Sequence, residues 1–256
     1  MPEPAIFIEG LQFAYGTHRI LHDIRLDIPH AEFSVILGRN GCGKSTLLKL
    51  MAGLLPIQNG RIRVCGNDLV TMSHSQRGEM IGYLPQMHSP TFPFTVEEVV
   101  MTGRASHVFL SPGKEDREKV FQAMSLVGLG YLSKRPYTEL SGGERQMVMI
   151  ARLLAQEPRV ILLDEPLTHL DPANQARLLL LIKALIKREL TVLAVLHDPN
   201  TAFLFADHLF FLEEGSVYTP QDGREPWDPE VLSRVYGTSF ESIPYKSRFL
   251  VIPGSD

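Results

Sequence analysis

The chain has 256 residues, 44% hydrophobic and 21% charged, with a formal net charge of −4, a balance typical of a globular protein that excludes a broad electrostatic attraction for nucleic acid. Its two cysteines, Cys42 and Cys65, exclude a disulfide framework and fit a reducing compartment. Met1-Pro2-Glu3-Pro4 lacks the basic and apolar regions of a signal peptide, and no run approaches the roughly 20 apolar residues of a membrane span.

In chain order, residues 5–37 read as β-rich: Ala5-Ile6-Phe7-Ile8, then Ile20 to Ile28 with Ile24, Leu26 and Ile28 alternating, then a short buried strand from Phe33 to Leu37. A helix is expected from Lys44 to Ala52, ended by Gly53 and Pro56. Arg61 to Val64 and Met80 to Leu84 read as strands. Pro90 and Pro93 lead into a helical stretch near Val96 to Thr102, and a second helix runs from about Glu115 to Val127, stopped by Gly128. Glu144 to Ala155 has helical spacing, and Val160 to Leu163 is continuously apolar, as in a parallel strand covered on both faces. Ala173 to Arg188 reads as a helix and Thr191 to Leu196 as a buried strand. Phe210 to Leu212 and Ser216 to Tyr218 flank Gly215 as a hairpin, and a short helix lies near Glu230 to Tyr236. The alternation predicts an α/β fold with a mostly parallel core sheet, an antiparallel β subdomain at the start and a helical insert. The expected division is a core of residues 1–86 and 158–225, an insert over 87–157 and a tail over 226–256.

Gly38-Arg39-Asn40-Gly41-Cys42-Gly43-Lys44-Ser45 fits the phosphate-loop pattern G-x-x-x-x-G-K-[ST], and it lies between a strand and a helix as the mechanism requires. Its N–H groups would cradle phosphates, Lys44 would reach the β and γ oxygens, and Ser45 would bind Mg²⁺. Asp164 and Glu165 close an apolar strand at its carboxyl end, where ligand sites of open α/β sheets lie. Asp164 would hold Mg²⁺ through water, and Glu165 would polarise an attacking water. His197 ends the next strand and either orients that water or serves the structure. Gln86 is a loop glutamine or a group touching Mg²⁺ and the water. Tyr15 stacks on a purine or caps the core. Cys42 reads as a small filler whose oxidation, if exposed, would crowd the phosphates. The remaining histidines, among them His18, His22, His30, His74, His88 and His107, show no metal-ligand spacing.

About a hundred residues after the phosphate loop comes Leu140-Ser141-Gly142-Gly143-Glu144-Arg145-Gln146. Ser141 suits an N-cap, and Glu144 completes a capping box. A second helix start that presents N–H groups to phosphate is expected here.

Taken in order, Tyr15, the phosphate loop from Gly38 to Thr46, Gln86, Leu140 to Gln146, Val160 to Glu165, Leu170-Asp171 and His197 resemble the ATP-binding subunits of ABC transporters, over roughly residues 5–220. The family's aromatic A-loop falls on Tyr15, its Walker A on Gly38 to Thr46, its Q-loop on Gln86, its signature on Leu140 to Gln146, its Walker B with catalytic glutamate on Val160 to Glu165, its D-loop on Leu170-Asp171 and its switch histidine on His197. Phe92-Pro93-Phe94-Thr95-Val96, Val100 to Arg104, Thr168-His169-Leu170-Asp171, His197-Asp198-Pro199-Asn200 and the tail from Asp228 to Gly237 are similar to importers of iron-siderophores, haem and cobalamin, a group in which some members carry molybdate or tungstate. Pro199 stands where the group usually has leucine and is expected to stiffen the turn after His197.

The resemblance implies ATP hydrolysis with Mg²⁺, held by Ser45, Gln86 and Asp164. It implies a head-to-tail homodimer in which Ser141, Gly142, Gly143, Glu144 and Asp171 of one subunit meet the nucleotide bound at Gly38 to Thr46 of the other. Separate partners are a permease dimer, contacted through residues 87–113, and indirectly a substrate-binding protein. The expected place is the cytoplasmic face of the inner membrane, peripherally attached. Export, or a soluble ABC ATPase such as an iron–sulfur assembly scaffold, are the other classes this pattern serves.

Overall fold

The computed structural model describes residues 3–86, 94–108, 111–168, 170–219, 225–246 and 248–254. The chain forms two compact units, Met1–Thr71 with Leu193–Asp256, and Met72–Val192.

The first unit opens with β1 (Ile6–Tyr15), β2 (His18–Ile28), β3 (Phe33–Leu37), α1 (Lys44–Met51), β4 (Asn59–Val64) and β5 (Asn67–Asp68). Strands β2-β1-β4-β5 form an antiparallel sheet in that order. Along β1 the buried side chains change from even to odd positions: Ile6 and Ile8, then Leu11 and Phe13. The register to β2 slips between Ile8 and Leu11, with Gly10 at φ 63°. An extra residue at a bulge flips the side-chain alternation, so both halves of the strand still face the core. All five residues of β3 are buried. Helix α1 buries Leu47, Leu48, Leu50 and Met51 and ends at Ala52, with Gly53 at φ 68° supplying the left-handed turn that stops it.

The second unit contains α2 (His74–Met80), β6 (Ile81–Leu84), α3 (Val96–Met101), α4 (Lys114–Leu126), α5 (Gly142–Ala155), β7 (Val160–Asp164) and α6 (Pro172–Ile186). Strands β6 and β7 pair in parallel, from Ile81 opposite Val160 to Leu84 opposite Leu163. Met80 closes α2 rather than opening β6: a capping box of Ser73 and Gln76 starts a helix that buries none of its residues, so hydropathy gives no sign of it. In the helical segment Arg104 is 4% exposed, and its guanidinium donates to Asp116 (3.0 Å), Glu157 (2.9 Å) and the Ala155 carbonyl (2.9 Å). A buried charge left without such partners typically costs roughly 3–5 kcal/mol, so this cluster fixes how the 3₁₀ turn Thr102–Ser106 sits on α4 and the end of α5. Residues 94–97 bond to residues 133–137 through Tyr137 N–H to the Phe94 carbonyl (2.8 Å) and Val96 N–H to the Arg135 carbonyl (3.0 Å).

The chain continues through β8 (Thr191–Val195), α7 (Pro199–Phe205), β9 (His208–Glu213), β10 (Ser216–Tyr218), α8 (Pro229–Tyr236), β11 (Phe240–Tyr245) and β12 (Arg248–Pro253). In the first unit the strand order is β10-β9-β3-β8, with β3 and β9 parallel. The fold class is the one expected, an α/β core with an antiparallel subdomain and helical segments. Pro199 lies at the first position of α7 rather than in a turn; a missing N–H costs nothing there, and Asp198 caps the helix. The tail adds an antiparallel hairpin, β11 with β12, that its largely exposed residues conceal from periodicity. Among the described residues no helix is long and apolar enough to cross a membrane.

Candidate functional site

In the first unit, β3 runs into the phosphate loop, and the loop's shape depends on its glycines. Gly38 lies at φ 154° and Gly43 at φ 108°. A Cβ at Gly38 would fall 2.3 Å from the Leu212 carbonyl oxygen, and one at Gly43 would fall 2.9 Å from Ile20 Cγ2. Gly43 is also the N-cap of α1; it offers no side-chain cap, and the first turn holds no acidic residue. The helix start is therefore open to an external anion. Lys44 is 5% exposed, and its Nζ donates to the Gly38 and Arg39 carbonyls, at 2.8 Å each. The ammonium is thus already held at the loop, where an arriving phosphate would need it. Ser45 and Thr46 follow in the first turn, half-buried. The Cys42 thiol is half-buried, and burial pushes its pKa up against the pull of the Lys44 charge, so it stays a thiol and fills space. Tyr15 ends β1 half-exposed at 50%, propped edge-on against Phe13 at 4.9 Å. His197 is exposed beyond the end of β8. Asp198 beside it accepts from the N–H groups of Asn200 and Thr201, at 3.0 Å each.

In the second unit, β7 delivers Asp164 (3% exposed) and Glu165 (9% exposed). Glu165 has φ 52°, a left-handed conformation costly for a residue with a side chain, by roughly 1 kcal/mol or more. Gln86 donates to Glu165 Oε2, and Thr168 Oγ1 reaches the same oxygen at 3.5 Å. Tyr83 donates to Asp164 Oδ2 at 3.3 Å. Burial first, and then the Asp164 charge, push the Tyr83 pKa up, so it remains a donor. Tyr83 was not singled out in the sequence; its place three residues before Gln86, on the strand paired with β7, is the signal that points to it.

The helix start at Ser141 lies in the same unit. Ser141 caps α5, accepting from the Glu144 N–H at 3.3 Å, while Glu144 Oε2 accepts from the Ser141 N–H and Oγ, at 2.8 Å each. Those bonds hold the Glu144 carboxyl below the usual range, the Ser141 N–H foremost. The box uses the Ser141 and Glu144 N–H groups and does not involve those of Gly142 and Gly143. A Cβ at Gly143 would fall 2.7 Å from Asn174 Nδ2. Asn174 in turn bonds Asp171, whose carboxylate caps α6 through the Asn174 N–H (2.8 Å). Gln146 donates to the Pro166 carbonyl at 3.0 Å, tying α5 to the loop behind Glu165. This unit therefore gathers Gln86, Asp164, Glu165, Asp171 and Ser141 to Gln146 through a few short bonds. His169, residues 87–93 and residues 109–110, which the sequence reading also used, lie outside the described residues.

The Ser45 hydroxyl in the first unit and, separately, the Asp164 carboxylate in the second are each hard oxygen donors of the kind Mg²⁺ takes. Among the described residues no group of three or more His, Cys, Asp or Glu forms a metal cage, and a nucleotide-borne Mg²⁺ does not need one.

The ABC transporter family profile matches residues 21–168. The hemin import ATP-binding protein HmuV of Pseudomonas entomophila is 37% identical over 246 residues, 94% of this chain and 96% of its own length. The ferric enterobactin transport ATP-binding protein FepC of Escherichia coli is 36% identical over 250 residues, covering 96% and 92%. YvrA of Bacillus subtilis, an ABC transporter ATP-binding protein, is 37% identical, and the chain spans 55% of its length. Among solved structures, an inward-facing metal-chelate type ABC transporter superposes with a TM-score of 0.84 at 32% identity, covering 97% of both chains.

Proposed function

The chain belongs to the ABC transporter family, whose ATP-binding subunits are ATPases, and from that premise we propose that it energises uptake of a metal chelate such as haem or an iron-siderophore. The haem and ferric enterobactin relatives, together with the metal-chelate type structure, support this cargo class. The observation that carries the catalytic part is the buried Glu165 carboxylate held by Gln86 in a left-handed backbone turn.

In this reading the loop from Gly38 to Thr46, with Arg39, Asn40, Gly41 and Cys42 between its glycines, surrounds the ATP phosphates through main-chain N–H groups, and Lys44 turns its ammonium toward them. Tyr15 offers its half-exposed ring to the purine. Ser45 and Gln86 would supply oxygen ligands of Mg²⁺ and Asp164 would hold it through water; when bound, the ion would neutralise charge on the phosphates. Glu165 accepts the proton of the attacking water, and His197 orients that water. Gly142 and Gly143, steadied by the Ser141–Glu144 box and by Asp171, complete the nucleotide site of a partner subunit in a head-to-tail homodimer. Each of two equivalent sites then needs both chains. A membrane permease meets this subunit through residues 87–113 and holds it peripherally at the membrane. The described part of that segment and the helix after it form a groove of about 480 Å³ lined by Met101, Val120, Phe121 and Met124, with Glu97 and Lys134 in its lining, chemistry suited to an amphipathic helix.

Glu165→Gln is expected to keep ATP binding and to lose steady-state hydrolysis by about 100-fold or more, the scale of a missing general base. Undiminished turnover would remove Glu165 from this role. Co-purification separates the classes: a multi-spanning membrane protein supports transport, and soluble assembly factors oppose it.

A further inference from the structure

The tail beyond Pro226 has no part in the nucleotide chemistry above, yet it lies against the phosphate loop. Helix α8 ends at Gly237, whose φ of 70° gives a left-handed cap. A Cβ built there falls 3.0 Å from Arg39 Nη1 and 3.5 Å from Arg39 Cζ. The guanidinium of the loop's second residue therefore rests on the carbonyl end of α8, where the helix dipole favours a cation. One residue earlier, the Tyr236 hydroxyl is buried without a hydrogen-bond partner among the described residues. Burial first, and then the charges of Asp198 and Cys42, raise its pKa. Cys42 Sγ in turn lies 3.1 Å from the Cβ position of Gly38.

The tail is firmly seated. Asn200 of α7 donates to the Val251 carbonyl (2.9 Å) and accepts from the Val251 N–H (2.7 Å). Trp227 stacks on Phe249 at 5.3 Å and meets Phe203 edge-on at 6.4 Å. Arg234 pairs with Glu213 at 2.8 Å.

We propose that α8 is a positioning element for nucleotide binding: Gly237 fixes Arg39, the buried Tyr236 ring anchors the end of α8, and the tail and the phosphate loop order together, with Cys42 as the reporter of loop order. The proposal rests on the reading of Gly38 to Thr46 as the phosphate loop. Its test combines two readouts on the full chain. One is the ATP dissociation constant by equilibrium titration; the other is the iodoacetamide alkylation rate at Cys42 by peptide mapping, with Cys65 as internal reference. Tyr236→Ala is expected to weaken ATP binding about tenfold, the scale of losing a pre-ordered loop. It should speed alkylation at Cys42 and leave Cys65 unchanged. Tyr236→Phe, which keeps the ring, should match the parent in both. Gly237→Ala, which crowds Arg39 and strains the left-handed cap of α8, should weaken ATP binding in the same direction and serves if Tyr236→Ala does not fold. Parental ATP affinity in these variants would overturn the proposal. Equal acceleration at both cysteines would also overturn it, because general loosening would then account for the effect. In the parent, ATP should slow alkylation at Cys42; if it does not, the phosphate-loop reading itself fails, and the proposal with it.

Discussion

Two helices begin with small residues and glycine, and they begin differently. Helix α1 has a glycine N-cap in the left-handed region, no side-chain cap and no acid in its first turn. Helix α5 begins with a serine cap and a glutamate that close on each other. The sequence suggests two helix starts that present N–H groups to phosphate. The structure shows one start left open, with a lysine in attendance, and one start already half satisfied by its own side chains. An open start can bind an anion by itself. A capped start with two glycine N–H groups outside the box suits a supplementary contact, completed only when another surface brings the ligand. The division of labour assigned to the dimer above has this local basis.

The contrast can be broken at its strongest point first. Lys44→Ala is expected to weaken ATP binding of the isolated chain by roughly two orders of magnitude, as loss of charge-assisted bonds to phosphate would. An unchanged dissociation constant would leave the open start without its claimed function. Ser141→Ala should act elsewhere. It is expected to lower thermal stability by about 1 kcal/mol through the lost cap, while ATP affinity of the monomer stays at the parental value. If ATP affinity fell as far as in Lys44→Ala, the two starts would not differ in kind. The smallest effect sharpens the same point. The folded Glu144 carboxyl titrates below its ordinary value, so its stabilisation is complete above the unfolded pKa of about 4.3 and disappears as pH falls through the lowered folded value. Ser141→Ala keeps the main-chain N–H that contributes most and loses only the hydroxyl's bond to that carboxylate, so the stability gap between parent and variant, followed by thermal melts, should narrow slightly in acid below about pH 4. A gap that stays constant down to pH 3 would show that the hydroxyl alone makes the cap.

Elements with a buried face or a cap motif were legible in the chain. Val160 to Leu163, Lys44 to Ala52 and Glu144 to Ala155 fall within a residue or two of β7, α1 and α5. What periodicity cannot see is a helix with nothing to bury. Helix α2 has no buried residue, although Ser73 and Gln76 spell its capping box. Helix α7 was hidden by Pro199, yet Asp198-Pro199 repeats the start that Asp171-Pro172 gives α6 and Asp228-Pro229 gives α8. An aspartate cap followed by proline at the first helical position was therefore a usable signal three times over. The site residues were readable as types at spacings. Their bonds were not: nothing in the letters pairs Tyr83 with Asp164, Gln146 with the Pro166 carbonyl, or Arg39 with the end of α8, because these depend on which surfaces packing brings together.

The left-handed turn at Glu165 also bears on how this chain could be engineered. Asparagine and glycine tolerate that backbone better than glutamate does, so selection for heat resistance alone would tend to replace Glu165. With Glu165 in the role proposed above, a library screened only for folded protein after heating would drift toward inactive chains at this position. A thermostable derivative meant to retain turnover would then have to be selected on phosphate release as well, because stability and the proposed chemistry ask for different residues.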